Sequence, residues 1–299
     1  MKKDTILGAS ICSTDFHYLQ KDYDEIKKLN LNTWNEVAWI GDELNSKIVM
    51  WTNSSPVNNV TLSSSDFINE NGDLISSNNI KISWLKETLA NIGRSNPSAP
   101  LETFPDIIHN SGSLNIEENK IASAWINIKI PRNAKPGIYN GSIEVTADEL
   151  EKAYTFDYSF EVLNLVQPLP RETNTQIEFW QHPYTIARYY KISKEDLFTE
   201  KHFKYLRDNL KEYRNMGGRG VIATIVHEAW NHQSYDSDPS MIKWRKNSYG
   251  TFEFDYSHFD KWIQLNIDLG ILDPEKGFGQ IKCYSIVPWN NRIQYFNEA

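Results

Sequence analysis

Alternation of hydrophobic and polar residues dominates the chain from its N-terminus to about Pro170. Residues 121–130 alternate over nearly their whole length, and residues 141–145 and 154–163 do the same. Short alternating stretches separated by Asn, Gly and Pro turns are typical of antiparallel strands with one buried and one solvated face. The pattern predicts an N-terminal antiparallel β-sandwich domain over residues 1–168.

The remaining elements of this half are short. Strands are predicted at residues 47–51, 57–62 and 66–71, and a helix at 22–29, where three apolar residues fall at helical spacing. Two prolines and two glycines in segment 130–143 favour a tight corner between strands, and Tyr139 is expected to hold that corner by packing.

The periodicity changes after Pro168 and Pro170, which stop a strand and stiffen a linker. Strands are predicted at residues 175–180, 220–226 and 280–287, and amphipathic helices at 201–216 and 256–269. Strands that alternate with helices indicate a parallel sheet. Residues 169–299 are therefore predicted to form about three βα units of a (β/α)8 barrel of the TIM type, within an α+β multidomain chain.

The length of this second half limits the barrel. Residues 171–299 are 129 residues, whereas a complete barrel needs about 250. We therefore expect a truncated barrel domain.

Aromatic and polar residues follow each of the three strands predicted after Pro170. In a parallel barrel the carboxyl ends of the strands form one rim, where active sites lie. Trp rings stack on the apolar face of a pyranose, while His, Asn and Glu hydrogen-bond its hydroxyls. The rim is thus predicted to bind a sugar, and the candidate substrate-binding residues are Trp180, His182, His227, Glu228, Trp230, Tyr284, Trp289 and Asn290.

Glu228 is the one carboxylate at such a position, so a conventional retaining glycosidase that uses Glu228 as its general acid is one alternative. A zinc site is disfavoured, because the spacing His227-Glu228-x-x-x-His232 does not place two ligands four residues apart on one helical face. We predict neither a metal nor a cofactor.

Composition narrows the possible partners. The net charge of −8 argues against nucleic acid or an anionic membrane, since both require a basic surface. The sequence contains no stretch apolar enough to span a membrane and no visible signal peptide. We expect a cytoplasmic protein, or a secreted parent form that lacks its signal here. The aromatic content of 13% is compatible with a carbohydrate partner.

Several stretches of the chain resemble glycoside hydrolase family 123. The most specific are the segment Tyr249-Gly250-Thr251-Phe252-Glu253-Phe254-Asp255-Tyr256 and the segment Cys283-Tyr284-Ser285-Ile286-Val287-Pro288-Trp289. Members of the family are β-N-acetylgalactosaminidases with an N-terminal β-sandwich and a (β/α)8 barrel. The resemblance implies a carbohydrate substrate with a terminal β-linked N-acetylgalactosamine.

The resemblance also implies substrate-assisted retaining hydrolysis. The 2-acetamido oxygen of the sugar attacks the anomeric carbon and forms an oxazolinium-type intermediate, while an adjacent Asp-Glu pair supplies orientation and acid/base catalysis. The sequence departs from the family here, because its Asp-Glu pairs at 24–25, 42–43 and 148–149 all lie in the sandwich half. The catalytic pair is expected beyond Ala299, so the polypeptide is expected to be inactive by itself. A non-catalytic carbohydrate-binding or scaffold protein is the alternative.

Overall fold

The computed structural model describes residues 6–90, 100–173, 175–230, 236, 238–284 and 293–298. The chain divides into two compact units, Met1–Gln167 and Pro168–Ala299. The domain limits expected from the sequence, 1–168 and 169–299, differ from this division by one residue. Each unit has a hydrophobic core of its own.

The first unit contains two large sheets. The five-stranded sheet is antiparallel throughout, in the order β1 (Leu7–Cys12), β3 (Glu43–Thr52), β10 (Ile121–Lys129), β7 (Ile80–Ala90) and β8 (Glu102–His109). The second sheet has the order β2 (Thr33–Ile40), β12 (Tyr154–Val166), β11 (Gly137–Thr146), β4 (Val57–Ser64) and β9 (Leu114–Ile116). Two short strands, β5 (Phe67–Asn69) and β6 (Leu74–Ile75), join this sheet through β11.

The two sheets enclose one core, which is the arrangement of a β-sandwich. Alternate residues of β3 and β10 face alternate residues of β11 and β12, and these inward-facing apolar residues belong to a single cluster. Val49, Trp51 and Ile121, on the other face of β3 and β10, belong to a smaller cluster. The Ser46 and Tyr158 hydroxyls meet across the core, 2.9 Å apart. Only one pairing in the two sheets, β2 with β12, is parallel among the described residues.

The corner expected around Tyr139 is present. Tyr139 is buried, and its hydroxyl donates a hydrogen bond to the Lys135 carbonyl at 3.0 Å. Gly137 has a φ of +146°, a conformation that side chains rarely adopt. The helix expected at residues 22–29 is shorter than predicted: α1 (Tyr23–Ile26) follows a single 3-10 turn, Gln20–Asp22.

Among its described residues, the second unit contains three α-helices and two small sheets. The helices are α2 (Pro183–Tyr189), α3 (Glu200–Asn215) and α4 (Ser257–Asp268). Strands β13 (Gly220–Thr224) and β16 (Gln280–Tyr284) pair in parallel, and α3 and α4 bury their apolar faces in the core cluster that contains β13. The other sheet consists of β15 (Phe252–Asp255), β14 (Lys243–Lys246) and β17 (Phe296–Asn297).

The prediction of three parallel strands was wrong in one respect. Residues 175–180 form no strand, and their β-type pairing, within the described residues, is an isolated bridge between Ile177 and Gly218. Side chains occupy the edge of β13 instead. The Gln181 amide bonds to the Gly220 carbonyl and the Ile222 N–H, both at 2.9 Å, and the Trp262 indole donates to the Ile222 carbonyl at 2.9 Å.

The hairpin of β14 and β15 lies between the predicted strand at 220–226 and the predicted helix at 256–269, where no strand is predicted from the sequence. None of the helices in the described part of the chain is long and apolar enough to cross a lipid bilayer.

Candidate functional site

The carboxyl ends of β13 and β16 lie together at one end of their sheet, which we call its carboxyl-terminal edge. The two strands run in parallel with Thr224 opposite Tyr284, so the last residues of the two strands lie side by side. The chain before α2 also reaches this edge, because the Trp180 ring lies 5.5 Å from the ring of Tyr284, the last residue of β16. Three separate segments therefore meet here, as expected of the rim of a parallel sheet.

Four rings form an aromatic cluster at this edge: Trp180, His182, Trp230 and Tyr284. The Trp230 ring lies 5.7 Å from Trp180, 5.1 Å from His182 and 5.0 Å from Tyr284, measured between ring centres. Trp230 is 2% exposed, whereas Trp180 is 45% exposed. Trp230 thus anchors the aromatic cluster, and Trp180 presents ring surface to solvent. These four of the predicted substrate-binding residues are brought together.

His182 faces a buried carboxylate. Its Nδ1 lies 3.8 Å from Oδ1 of Asp238, and Asp238 is 2% exposed. This distance is too long for a hydrogen bond, but it allows an ion pair when the imidazole is protonated. Asp238 was missed at the sequence level, because it follows no predicted strand and lies in a loop.

Several buried polar atoms near the aromatic cluster have no hydrogen-bond partner among the described residues. They are Nδ1 of His182, Nε1 of Trp230 and the hydroxyl of Tyr184. Burial raises the pKa of Tyr184, and the Asp238 carboxylate adds to that effect, so the hydroxyl stays protonated. Native proteins rarely leave such atoms unsatisfied without a ligand, ion or water to meet them. Tyr184 is a second residue that the sequence did not single out.

Glu228 has an unusual backbone. Its φ is +52°, it is 4% exposed, and its N–H donates to the Asp238 carbonyl at 3.0 Å. A non-glycine residue in this region is uncommon, and such residues concentrate at functional sites. Glu228 is therefore held against the loop that carries Asp238.

Three predicted substrate-binding residues remain, His227, Trp289 and Asn290. His227 is partly exposed and makes no ring contact within the described part of the chain. Trp289 and Asn290 lie outside the described residues, as does His232. Across the ranges that the structure describes, no group of three His, Cys, Asp or Glu side chains is placed to hold a metal ion.

A cavity of about 260 Å³ lies beside His182, on the side of the helices. Its walls include Phe179, Leu206, Leu210 and Trp262, which are apolar. Trp180, Trp230 and Tyr284 do not line it, so the cavity and the open aromatic cluster are different features of this unit.

Two family models match the chain. The glycoside hydrolase 123 N-terminal domain matches residues 11–147, and the glycoside hydrolase 123 catalytic domain matches residues 180–299. All the predicted substrate-binding residues lie in the segment matched by the catalytic-domain model.

One solved structure is nearly identical in sequence. It is a family 123 glycoside hydrolase from Clostridium perfringens, which was analysed for glycolipid glycan hydrolysis. The sequence identity is 97% and the TM-score is 0.95, over 98% of this chain and 50% of that chain. The chain therefore spans about half the length of this relative.

Two other solved structures are only weakly similar to the chain. A protein that catalyses macrocyclization in alchivemycin A biosynthesis shares 6% identity over 55% of this chain and 92% of its own, with a TM-score of 0.30. The CooA pilin subunit from enterotoxigenic Escherichia coli shares 12% identity over 54% of this chain and 99% of its own, with a TM-score of 0.29. No curated protein matches the chain.

Proposed function

The chain belongs to glycoside hydrolase family 123, and from that premise we propose that it supplies the sandwich and the sugar-binding rim of an enzyme that hydrolyses glycolipid glycans. The observation that carries this proposal is the aromatic cluster at the carboxyl ends of β13 and β16. Trp180 offers an exposed ring to a pyranose, and the buried polar atoms of His182 and Trp230 are positioned beside it.

We further propose that the sugar is a terminal β-linked N-acetylgalactosamine and that its 2-acetamido group acts as the nucleophile. In this substrate-assisted scheme the protein supplies an Asp-Glu pair and no nucleophile. The three Asp-Glu pairs of the sequence all lie in the first unit, at 24–25, 42–43 and 148–149. The second unit therefore contributes sugar binding, and the 299-residue polypeptide alone lacks the acid/base pair.

The proposal includes the architecture of the complete enzyme. The parallel pair of β13 and β16, with α3 and α4 packed on it, has the βα connectivity of a (β/α)8 barrel. We propose that these elements are part of such a barrel.

The test measures hydrolysis and binding separately. The 299-residue chain is expected to release no p-nitrophenol from p-nitrophenyl β-N-acetylgalactosaminide, whereas the longer polypeptide of the Clostridium perfringens relative serves as the positive control. Saturation-transfer NMR is expected to detect N-acetylgalactosamine on the 299-residue chain. Trp180→Ala should weaken that signal by about tenfold, because the exposed stacking surface is lost.

Trp39→Ala is the matched control, since Trp39 is 42% exposed and lies on β2 of the other unit. Hydrolysis by the 299-residue chain would refute the proposal that this polypeptide alone lacks the acid/base pair. In that case Glu228→Gln distinguishes the conventional retaining scheme from the substrate-assisted one. A conventional glycosidase that uses Glu228 as its general acid loses turnover in this variant, whereas a substrate-assisted enzyme does not. Equal binding by the Trp180→Ala chain would exclude the rim as the sugar site. Binding without any hydrolysis by the longer polypeptide would favour the non-catalytic alternative.

A further inference from the structure

The outer face of the five-stranded sheet carries an ordered set of polar side chains around one tryptophan. Residues directly opposite one another on β3, β10 and β7 point to the same side of the sheet. Two adjacent rows result, Lys47–Trp125–Ser83 and Asn45–Asn127–Lys81. The opposite face of the same strands is the apolar core.

The residues of these rows other than Lys47 form the floor of a cleft of about 280 Å³. Besides Ser83, its lining residues are Glu43, Asn45, Lys81, Ile108, Trp125 and Asn127. Trp125 is partly exposed, while the neighbouring Ser83 is small and 3% exposed, which leaves space beside the indole ring. The volume lies near the lower limit of small-molecule sites, so it suits a single sugar ring.

Hydrogen bonds fix the orientation of the side chains in this cleft. Nε1 of Trp125 donates to Oδ1 of Asn45 at 2.8 Å. Nδ2 of Asn127 donates to the same Asn45 oxygen at 3.0 Å and to Oε2 of Glu43 at 3.2 Å. The indole and both amides are therefore preorganised, which lowers the entropic cost of binding a ligand.

The network leaves donors and acceptors unused. Within the described residues, Nδ2 of Asn45 and Nζ of Lys81 make no hydrogen bond, and neither does Oδ1 of Asn127. Alternating donors and acceptors around an aromatic ring complement the hydroxyls and the apolar face of a pyranose. The charges of Glu43 and Lys81 have opposite signs, so the cleft favours a neutral ligand over an anionic one.

The Trp125 ring also contacts a buried lysine, Lys47. Nζ of Lys47 lies 5.3 Å from the centre of the Trp125 ring and donates to the carbonyls of Thr14 and Phe16, at 3.2 and 2.7 Å. Lys47 is 4% exposed and does not line the cleft. A ligand can therefore contact the indole without displacing this lysine.

We propose that the cleft at Trp125 is a second glycan-binding site, specific for a neutral pyranose and separate from the aromatic cluster of the other unit. Trp125 supplies the stacking surface, and Asn45, Asn127 and Lys81 hydrogen-bond the sugar hydroxyls. The site binds the sugar and performs no hydrolysis.

The experiment uses the 299-residue chain with Trp180→Ala, so that binding at the aromatic cluster is weakened in every sample. Galactose, lactose and N-acetylgalactosamine are titrated at millimolar concentrations, and binding is followed by saturation-transfer NMR. At least one of these sugars is expected to bind, and Trp125→Ala should weaken that binding by about tenfold or more. Asn127→Ala should weaken it by about fivefold, because a directional hydrogen bond is removed from a surface that stays intact.

Trp39→Ala is again the control, because it removes an exposed tryptophan from the other sheet. Thermal melting checks that each variant is folded, and if Trp125→Ala is unfolded, Asn127→Ala decides the question. The proposal is overturned if none of the three sugars binds, or if both cleft variants bind as well as the parent chain does.

Discussion

Replacing Tyr213 with Phe removes one oxygen atom that three backbone groups share. The Tyr213 hydroxyl lies 3.0 Å from the Ile177 carbonyl and 2.8 Å from the Gly220 carbonyl, and it accepts the Gly220 N–H at 3.0 Å. It therefore connects the segment before α2 to the first residue of β13. Tyr213 is 5% exposed, so water does not easily replace the hydroxyl.

The magnitude follows from the groups that lose their partner. The Gly220 carbonyl still accepts the Gln181 amide, but the Gly220 N–H becomes a buried donor without an acceptor. An unsatisfied buried group costs about 1–3 kcal/mol. We expect the opening free energy of β13 to fall by about 2 kcal/mol, which corresponds to about 30-fold faster amide exchange.

Hydrogen–deuterium exchange followed by mass spectrometry measures this effect in peptides that cover β13. The control is Tyr189→Phe in α2 of the same unit, since Tyr189 is 71% exposed and its hydroxyl makes no hydrogen bond among the described residues. Tyr189→Phe should leave exchange in β13 unchanged. Unchanged exchange in Tyr213→Phe would refute the role given to the hydroxyl, as would an equal acceleration in both variants.

Two further outcomes are expected. Gly141→Ala should lower the unfolding free energy by about 1–3 kcal/mol in urea titrations, because the added methyl group would lie 2.8 Å from the Phe67 ring. Gly112→Ala is the control and should be neutral, because nothing lies within 4 Å of the added methyl group there. Equal urea midpoints for the two variants would contradict the packing argument. Burial lowers the pKa of His202, whose Nδ1 accepts the Phe198 N–H, so the folded state favours the neutral ring. The contribution of the neutral His202 ring to stability is then fully present above the unfolded pKa of about 6.5 and declines as the pH falls below it. Urea midpoints should therefore decline less with falling pH in His202→Asn than in the parent chain. Some decline should remain, because burial also lowers the pKa of His258, and the same slope in both chains would exclude His202 as its source.

The sandwich could be predicted in outline because alternation reports which face of a strand is buried. The pattern at residues 121–130 gave the correct faces of β10, whose residues Ala124, Ile126 and Ile128 lie in the core. Strands β7 and β8 were missed because their burial does not alternate regularly. Several residues at the outer end of β7 and along β8, including Leu89, Ile107 and Ile108, are exposed.

The error at residues 175–180 has a different cause. The segment has the apolar and aromatic residues of a strand, but strand formation also requires free backbone groups on the neighbouring strand. The edge of β13 is occupied by the side chains of Gln181, Tyr213 and Trp262. Tyr213 and Trp262 lie far from residues 175–180 in the sequence. No local sequence pattern therefore indicates that their side chains compete with this segment for the backbone groups of β13.

The aromatic cluster was accessible from the sequence because its members lie at or near the carboxyl ends of predicted strands. Trp180, Trp230 and Tyr284 are brought together by the direction of β13 and β16 rather than by their spacing. Asp238 could not be found in this way. Asp238 lies beside His182 and accepts a backbone hydrogen bond from the Glu228 N–H, and neither contact follows from a predicted strand or helix.

The parallel pairing of β2 with β12 determines the order in which the first unit is completed during synthesis. Residues Thr33 to Ile40 pair with residues Asp157 to Val166, at sequence separations of more than 120 residues. Until the ribosome has released β12, β2 lacks its hydrogen-bonded neighbour and the cluster lacks Phe156, Tyr158 and Phe160. Contacts of such long range slow folding, and chains emerge at about 5–20 residues per second. The nascent N-terminal strands must therefore remain soluble for seconds before the final strand arrives, which makes this interval the one in which a chaperone would be of most use.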